Sequence, residues 1–254
     1  MNDPREMPFS MHLAELRTCL VRTAAGVLIA SIGCFVFADD LFGLLVQPLH
    51  SAVENPTLIG TGPAEAFLVK LKVSLVAGII ISAPFSFIQL WAFISPGLHQ
   101  HERRLAIPFI IVGSLFFFVG ISFCFKLILP YAFQFFDDEY RSIGVAATIR
   151  IGEYLSFVTK LLLVFGAVFE LPVLSYFLTR LGLVSHSWLI RQGRIIVVGI
   201  FVVAAILTPP DVVTQLLLAA PLCVLYGLCI GIAYVCRKQT AETASEEEHC
   251  GSGA

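Results

Sequence analysis

Charge is scarce in this chain: Asp, Glu, Lys and Arg make up 13% of its 254 residues, whereas 57% are hydrophobic. Soluble domains carry about 25% charged residues, so this composition does not suit a surface that faces water. The formal net charge of −2 gives no basic field for binding nucleic acid. Together with a mean hydropathy of +0.88, these absences indicate that a lipid bilayer is the solvent of this protein.

Motifs for nucleotide, metal and redox chemistry are also missing. No glycine-rich phosphate loop of the Walker or dinucleotide type occurs, which argues against nucleotide chemistry. The seven cysteines show no CxxC or metal-ligand spacing, and we interpret them as small residues packed within the membrane. The N-terminal segment has no small-residue cleavage site, so we expect no removable signal peptide. We expect no cofactor, no metal site and no enzymatic activity.

What the sequence has instead is long segments without Asp, Glu, Lys or Arg. Because about 20 apolar residues cross a bilayer, four such segments predict spanning helices, and two shorter ones, broken by Glu170 or ended by Pro209-Pro210, predict two more. The predicted spans cover approximately residues 20–38, 69–95, 105–129, 153–180, 195–208 and 212–235. The sequence thus predicts an all-α membrane protein, with six transmembrane helices in a single domain over residues 1–238.

Prolines in or beside the spans predict that the bundle is curved and concave, because proline bends helices. They are Pro84, Pro108, Pro172 and Pro221. The fifth span is expected to be short, since a helix from Ile195 to Leu207 rises only about 20 Å. We therefore expect the membrane to be thinner at this helix.

The distribution of Lys and Arg predicts that both termini face the cytoplasm, because basic residues concentrate in cytoplasmic loops. The opposite face is acidic, with Asp39, Asp40, Glu54 and residues 137–139. Its first loop contains an apolar stretch interrupted by Pro48, which predicts an interfacial helix followed by a turn. The acidic segment 239–254 is expected to be disordered.

Two carboxylates lie among arginines in the predicted cytoplasmic segments. Glu15 occurs in HLAELRTCL, and Glu102 occurs in HQHERR. One interpretation is an ordinary surface ion pair with a neighbouring arginine, which contributes little to stability. The other is that both carboxylates receive guanidinium groups of a ligand, since a carboxylate binds the planar arginine fork with two hydrogen bonds. Two such sites would suit a ligand with two adjacent arginines.

Glu170 lies near the middle of the predicted fourth span, where a carboxylate is costly and normally faces a partner, a cavity or an ion path. A satisfied structural hydrogen bond is the alternative, and Gln215 in the sixth span is a plausible partner for it. Asp211 follows Pro209-Pro210, where it could cap the sixth helix.

Four motifs occur in order along nearly the whole chain. They are HLAELRTCL before the first span, QLWAFISPGLHQHERR after the second, FGAVFELPV in the fourth, and FVVAAILTPPDVVTQLLLAAPLCVLYG at the end. Together they resemble the TatC family, the multispanning receptor of the twin-arginine protein translocase of the bacterial cytoplasmic membrane. The resemblance implies that folded proteins with paired-arginine signal peptides dock on the cytoplasmic face. It also implies an oligomeric complex with TatA-like and TatB-like single-span partners, export driven by the proton-motive force, and no role for nucleic acid.

The resemblance also implies roles for individual residues. Signal-peptide recognition falls on six positions of this chain: Glu15, Arg17, Phe93, Glu102, Arg103 and Arg104. Positions tied to structure or partner contact fall on Pro48, Glu170, Asp211 and Gln215, with Glu170 facing the concave side.

Two other functional classes compete with a receptor for protein export. One is a proton- or ion-coupled solute transporter that uses Glu170, although no second titratable group within a span forms a relay with it. The other is a membrane enzyme, although no nucleophile, base and orienting group converge by motif.

Overall fold

The computed structural model describes residues 9–54, 56–94, 106–145, 147–208 and 211–251, which form helices and one short pair of strands. The helices are α1 (Phe9–Val36), α2 (Ala38–Ala52), α3 (Glu65–Ile94), α4 (Ala106–Phe123), α5 (Leu129–Ser142), α6 (Ile151–Phe169), α7 (Leu171–Arg180), α8 (His186–Leu207) and α9 (Val212–Gly251). A π-helical turn (Cys124–Ile128) joins α4 to α5, and the strands are β1 (Thr57–Ile59) and β2 (Thr148–Arg150).

Six helical stretches are long and apolar enough to cross a membrane, which confirms the predicted number of spans for the described part of the chain. They are Leu13–Val36, Glu65–Ile94, Ile107–Ser142, Ile151–Arg180, His186–Leu207 and Val212–Cys236. Much of their surface is apolar and exposed, most of all on α1 and α8, as is normal for helices that face lipid.

Glycines let α1 and α3 pack in close antiparallel contact. A Cβ at Gly78 on α3 would lie 2.7 Å from the backbone Cα of Ser31 on α1. A Cβ at Gly26 on α1 would lie 2.6 Å from Cε1 of Phe85 on α3. Small residues allow membrane helices to approach until van der Waals packing holds them together. These contacts therefore set the crossing of α1 and α3.

The third span is longer than predicted. Its predicted end at residue 129 precedes Pro130, which cannot donate a backbone hydrogen bond and disfavours a continuous α-helix. In the structure, a π-helical turn directly precedes this proline, and in it the backbone N–H of Leu129 donates to Cys124 O. One widened turn therefore lets the helix continue to Ser142.

The fourth span is broken into α6 and α7 at Glu170. Pro172 occupies the first turn of α7, where its missing N–H is harmless, but it removes a donor for the carbonyls of the preceding turn. The backbone N–H of Glu170 donates a hydrogen bond to Ala167 O at 3.2 Å, and Leu174 N donates to Glu170 O at 2.9 Å. The carboxylate thus sits at the joint between two helices of one span.

The fifth span differs from its predicted bounds. It begins at His186, after Ser185 caps the helix by accepting a hydrogen bond from Trp188 N at 3.2 Å. Its 22 residues rise about 33 Å, of which the uncharged part after Arg194 supplies about 20 Å. The predicted span began at Ile195, after the two arginines, whereas in the structure the helix includes Arg191 and Arg194. Thinning of the membrane at this helix stays a prediction.

Two three-residue strands lie at one end of the bundle, which we call the strand end, and they amend the all-α prediction. β1 and β2 pair in parallel, with Leu58 opposite Ile149. Glu65, at the start of α3, fastens this end. Its Oε2 accepts hydrogen bonds from Thr61 N at 2.5 Å and Gly62 N at 3.2 Å, and its Oε1 accepts one from Gly152 N at 3.0 Å. Glu65 thereby caps the first turn of α6 from a distant part of the chain.

The core gathers around α6, whose inner face is fully buried. Tyr154 on α6 donates a hydrogen bond to Leu45 O on α2 at 2.7 Å and stacks on Phe133 with ring centroids 5.2 Å apart. α2 is the helix expected in the first external loop, but Pro48 is buried inside it and does not end it. Tyr154 therefore binds α2 to the centre of the molecule.

The last helix also differs from prediction, because α9 runs to Gly251 through the acidic segment expected to be disordered. Ala and Glu dominate AETASEEE within that segment, and both favour helix.

Candidate functional site

A groove lies between the start of α1 and the end of α3, at the end of the bundle opposite the strands, which we call the groove end. Its volume is about 280 Å³. Eight residues line it: Ala14, Glu15, Thr18, Cys19 and Arg22 from α1, and Gln89, Ala92 and Phe93 from α3. The structure therefore brings together two predicted recognition residues, Glu15 and Phe93, that are far apart in sequence.

Helical spacing explains which residues of α1 reach the groove. Glu15, Thr18, Cys19 and Arg22 are separated by three, four and seven positions, so they share one face of the helix. Arg17 lies two positions from Glu15, is exposed, and is not among the lining residues. Thr18, Cys19 and Gln89 were missed by sequence reasoning, although the spacing from Glu15 could have identified the first two.

The wall of the groove is fixed by contacts on both sides of α3. Toward α1, Cys19 Sγ donates to Gln89 O at 3.1 Å. Away from the groove, Trp91 is buried against Phe109 and Phe177, with ring centroids 5.3 Å and 5.0 Å away. Phe93, two positions from Trp91, is therefore held on the groove side.

The groove combines a half-buried carboxylate with an aromatic ring. A carboxylate accepts two parallel hydrogen bonds from a guanidinium, and an aromatic face attracts the same cation. Burial strengthens both interactions because water competes less with them. The site can therefore receive an arginine side chain from outside the membrane.

Three of the predicted recognition residues, Glu102, Arg103 and Arg104, lie outside the described residues. They belong to the segment 95–105, which connects the groove wall at Phe93 to the beginning of α4.

Glu170 faces α4 from the joint of α6 and α7. A Cβ at Gly113 would lie 3.1 Å from its Oε2, so the glycine leaves the space that the carboxylate occupies. Its Oε1 is buried and has no hydrogen-bond partner among the described residues. The predicted contact with Gln215 is wrong, because the Gln215 amide donates instead to Phe201 O on α8 at 3.1 Å.

Asp211 caps α9, which confirms the capping interpretation. Its Oδ1 accepts a hydrogen bond from Thr214 N at 2.7 Å, and its Oδ2 accepts one from the Thr214 hydroxyl. Thr214 is fully buried, so the carboxylate satisfies a donor that has no access to water.

We predict that Asp211→Ala lowers the free energy of unfolding by about 2 kcal/mol, since it removes a helix cap and leaves a buried hydroxyl unpaired. Asp211→Asn retains the cap and should lose less than half of that. Unfolding in mixed micelles, followed by circular dichroism, measures the difference. Asp138→Ala, at an exposed position of α5, is the matched control. A loss no larger than that of the control would contradict this role.

The fold and the groove define a class: a polytopic membrane protein with six spans in its described part, and with a groove at one end that holds a carboxylate and an aromatic ring beside Arg22. The family model of the Sec-independent protein translocase protein TatC matches residues 11–221. The chain belongs to the TatC family.

Individual relatives agree with this assignment. The TatC protein of Desulforapulum autotrophicum is 41% identical over 97% of this chain and 90% of its own length. The TatC protein of Escherichia coli is 37% identical over 87% of this chain and 86% of its own length. A crystal structure of the twin-arginine translocase receptor TatC superposes with a TM-score of 0.83, at 34% identity over 89% of this chain and 99% of that one. The chain is thus a multi-pass membrane component of a protein translocase.

Proposed function

We propose that this chain is the signal-peptide receptor and assembly platform of a twin-arginine translocation system, which exports folded proteins across the cytoplasmic membrane of a bacterium. The observation that carries the proposal is the meeting of Glu15 and Phe93 in one groove at an end of the bundle. A matched solved structure is titled as the receptor of that system.

The paired arginines of a signal peptide dock in this groove. Glu15 receives one guanidinium beside the ring of Phe93, and Glu102, in the segment that leaves the groove wall, receives the other. Two carboxylates favour arginine over lysine, because only the guanidinium offers two parallel donors to each. Roles for Arg17, Arg103 and Arg104 in this recognition stay predictions.

The groove end faces the cytoplasm, and so do both termini. Support comes from the charges at the two ends of the bundle. By sequence, ten of the 16 Lys and Arg residues fall on the predicted cytoplasmic side, among them Arg17, Arg22, Arg180, Arg191 and Arg194. The other six fall on the strand side, where acidic residues accompany them; these six are Lys70, Lys72, Lys126, Arg141, Arg150 and Lys160. Lys and Arg concentrate on the cytoplasmic side of membrane proteins.

TatA-like and TatB-like single-span proteins assemble on this chain, and the proton-motive force drives export. Glu170 contributes to this assembly, because a carboxylate in a span with one oxygen unsatisfied within the described chain can bind a polar group on a neighbouring helix. The relatives are translocase components, so an ion-coupled transporter at Glu170 has no support among them. The family role is also not an enzymatic one.

Photo-crosslinking tests the docking site directly. A benzoylphenylalanine in place of Phe93 should capture a twin-arginine signal peptide added to membranes that contain this protein. The matched control is the same probe in place of Phe67, which lies on the same helix at the strand end. We expect capture at position 93 only, and much less with a peptide whose two arginines are lysines.

Equal capture at both positions would show that the peptide binds the membrane without a site. Equal capture of the arginine and lysine peptides at position 93 would show a binding site that lacks the proposed recognition by carboxylates. Either result would overturn the proposal.

A further inference from the structure

A second groove opens on the side of the bundle between α4, α7 and α9. Its volume is about 410 Å³, and it is distinct from the groove between α1 and α3. Apolar side chains from the three helices form most of its lining, including Pro108, Val112, Phe116, Val173, Phe177 and Ile232. Because it lies within the spans, its occupant comes from the membrane.

Packing holds this second groove open. Phe177 and Phe109 contact each other with centroids 5.3 Å apart, and both rest against the buried Trp91. On the other side, the Ser175 hydroxyl donates to Cys229 O at 3.1 Å and fastens α7 to α9. The walls of the second groove are therefore helices that are packed against the rest of the bundle.

One end of the second groove carries a positive charge. Arg180 ends α7, and its guanidinium carbon lies 5.7 Å from the ring centroid of Tyr176, which lines the groove. Among the residues whose side chains the structure describes, which exclude 237–251 of α9, no carboxylate lies within ion-pair distance of Arg180. The distance from Pro172 to Arg180 is about 12 Å along the helix, so the charge sits where the groove approaches the membrane surface.

We propose that the second groove binds an anionic phospholipid, with one acyl chain between α4 and α7 and its phosphate beside Arg180. Size favours an acyl chain over a partner helix. A volume of about 410 Å³ is in the range of pockets that enclose a single small ligand, and its apolar lining suits one acyl chain. Charge favours an anionic headgroup, since a basic residue at the interface attracts acidic lipid.

Trp91 offers a probe of this binding, because it touches two rings that wall the second groove. The chain has two tryptophans, so Trp188→Phe leaves Trp91 as the only one. The protein is reconstituted in phosphatidylcholine vesicles with rising fractions of bromine-labelled phosphatidylglycerol or phosphatidylcholine, and quenching of Trp91 is measured. In Trp91→Phe, the remaining tryptophan is Trp188, which is half exposed on α8. Its quenching reports contact with bulk lipid.

We expect brominated phosphatidylglycerol to quench Trp91 at about fivefold lower mole fraction than brominated phosphatidylcholine. Arg180→Gln should abolish this preference, and Arg191→Gln, on α8, should leave it intact. Val112→Phe narrows the groove and should make the quenching of Trp91 by the two lipids equal.

Three results would overturn the proposal. One is equal quenching of Trp91 by the two lipids, and another is a preference that survives Arg180→Gln. The third is a Trp91 signal that lipids leave unquenched but that changes when a single-span partner is added, which would assign the groove to a helix. None depends on signal-peptide binding, so failure here leaves the proposed function untouched.

Discussion

Replacing Glu15 by Gln is expected to weaken binding of a twin-arginine signal peptide by about 30-fold, and the double variant with Glu102→Gln by more. Removing one side of a desolvated, hydrogen-bonded charge pair costs at least about 2 kcal/mol, much of it from the charge left unpaired, and this corresponds to the stated factor. Glu15 is half-buried in its groove, so water cannot fully compensate for the loss. Fluorescence anisotropy of a labelled peptide with purified protein measures the affinity.

The matched control is Glu54→Gln, which removes an exposed carboxylate at the strand end. A peptide with two lysines completes the comparison. Wild-type protein should discriminate between the arginine and lysine peptides, and Glu15→Gln should lose most of that discrimination, because the bidentate acceptor is gone. If the Glu15→Gln and Glu54→Gln variants bind the peptide with equal affinity, Glu15 forms an ordinary surface ion pair and does not bind the signal peptide.

Gly78→Ala is expected to lower the free energy of unfolding by about 3 kcal/mol, the upper end of the cost of overpacking. The added methyl group would meet the backbone of Ser31, at 2.7 Å from both its N and its Cα, and a backbone cannot rotate away. To make room, α1 must move from α3, and the groove with Glu15 and Phe93 changes shape. Unfolding in mixed micelles gives the stability, and the anisotropy assay reports the groove.

The chain provides a control of opposite sign. Gly33 lies on the same helix as Ser31, and a Cβ there meets nothing within 4 Å. Gly33→Ala should stabilise the protein by up to about 1 kcal/mol, because alanine favours helix more than glycine does. Adding Ser31→Ala to Gly78→Ala should not restore stability, since the contact with the backbone remains. If Ser31→Ala fully restored the stability lost in Gly78→Ala, the added methyl group would clash only with the Ser31 hydroxyl.

The sequence could predict features that depend on neighbouring residues or on the surrounding lipid. Apolar length gives six spans because lipid demands about 20 such residues for each. Asp211 before a helix predicts a cap because the partner, Thr214, is three residues away. Glu15 and Phe93 were predicted through charge and through resemblance to a family, and their common groove follows from antiparallel packing of adjacent spans.

What sequence could not predict depends on contacts between distant segments. Nothing near Gly78 indicates that Ser31 will lie against it, and three-residue strands such as β1 are too short to show alternation. The prediction for Gln215 failed because it paired two polar groups from separate spans, whereas the amide of Gln215 donates to a backbone carbonyl of the preceding helix. Arg17 shares a motif with Glu15 but lies on another side of α1. The motif alone does not show which of its residues face the groove, because that depends on how α1 packs against α3.

The bond between Glu65 and Gly152 has a consequence for how the protein is made. The first turn of α6 is capped by a carboxylate that leaves the ribosome 87 residues before the amide it serves. Until the fourth span is inserted, this carboxylate has only its neighbours Thr61 and Gly62 to bind, and β1 has no second strand. The strand end is therefore completed late, when residues 148–152 arrive and form the strand pair and the helix cap together.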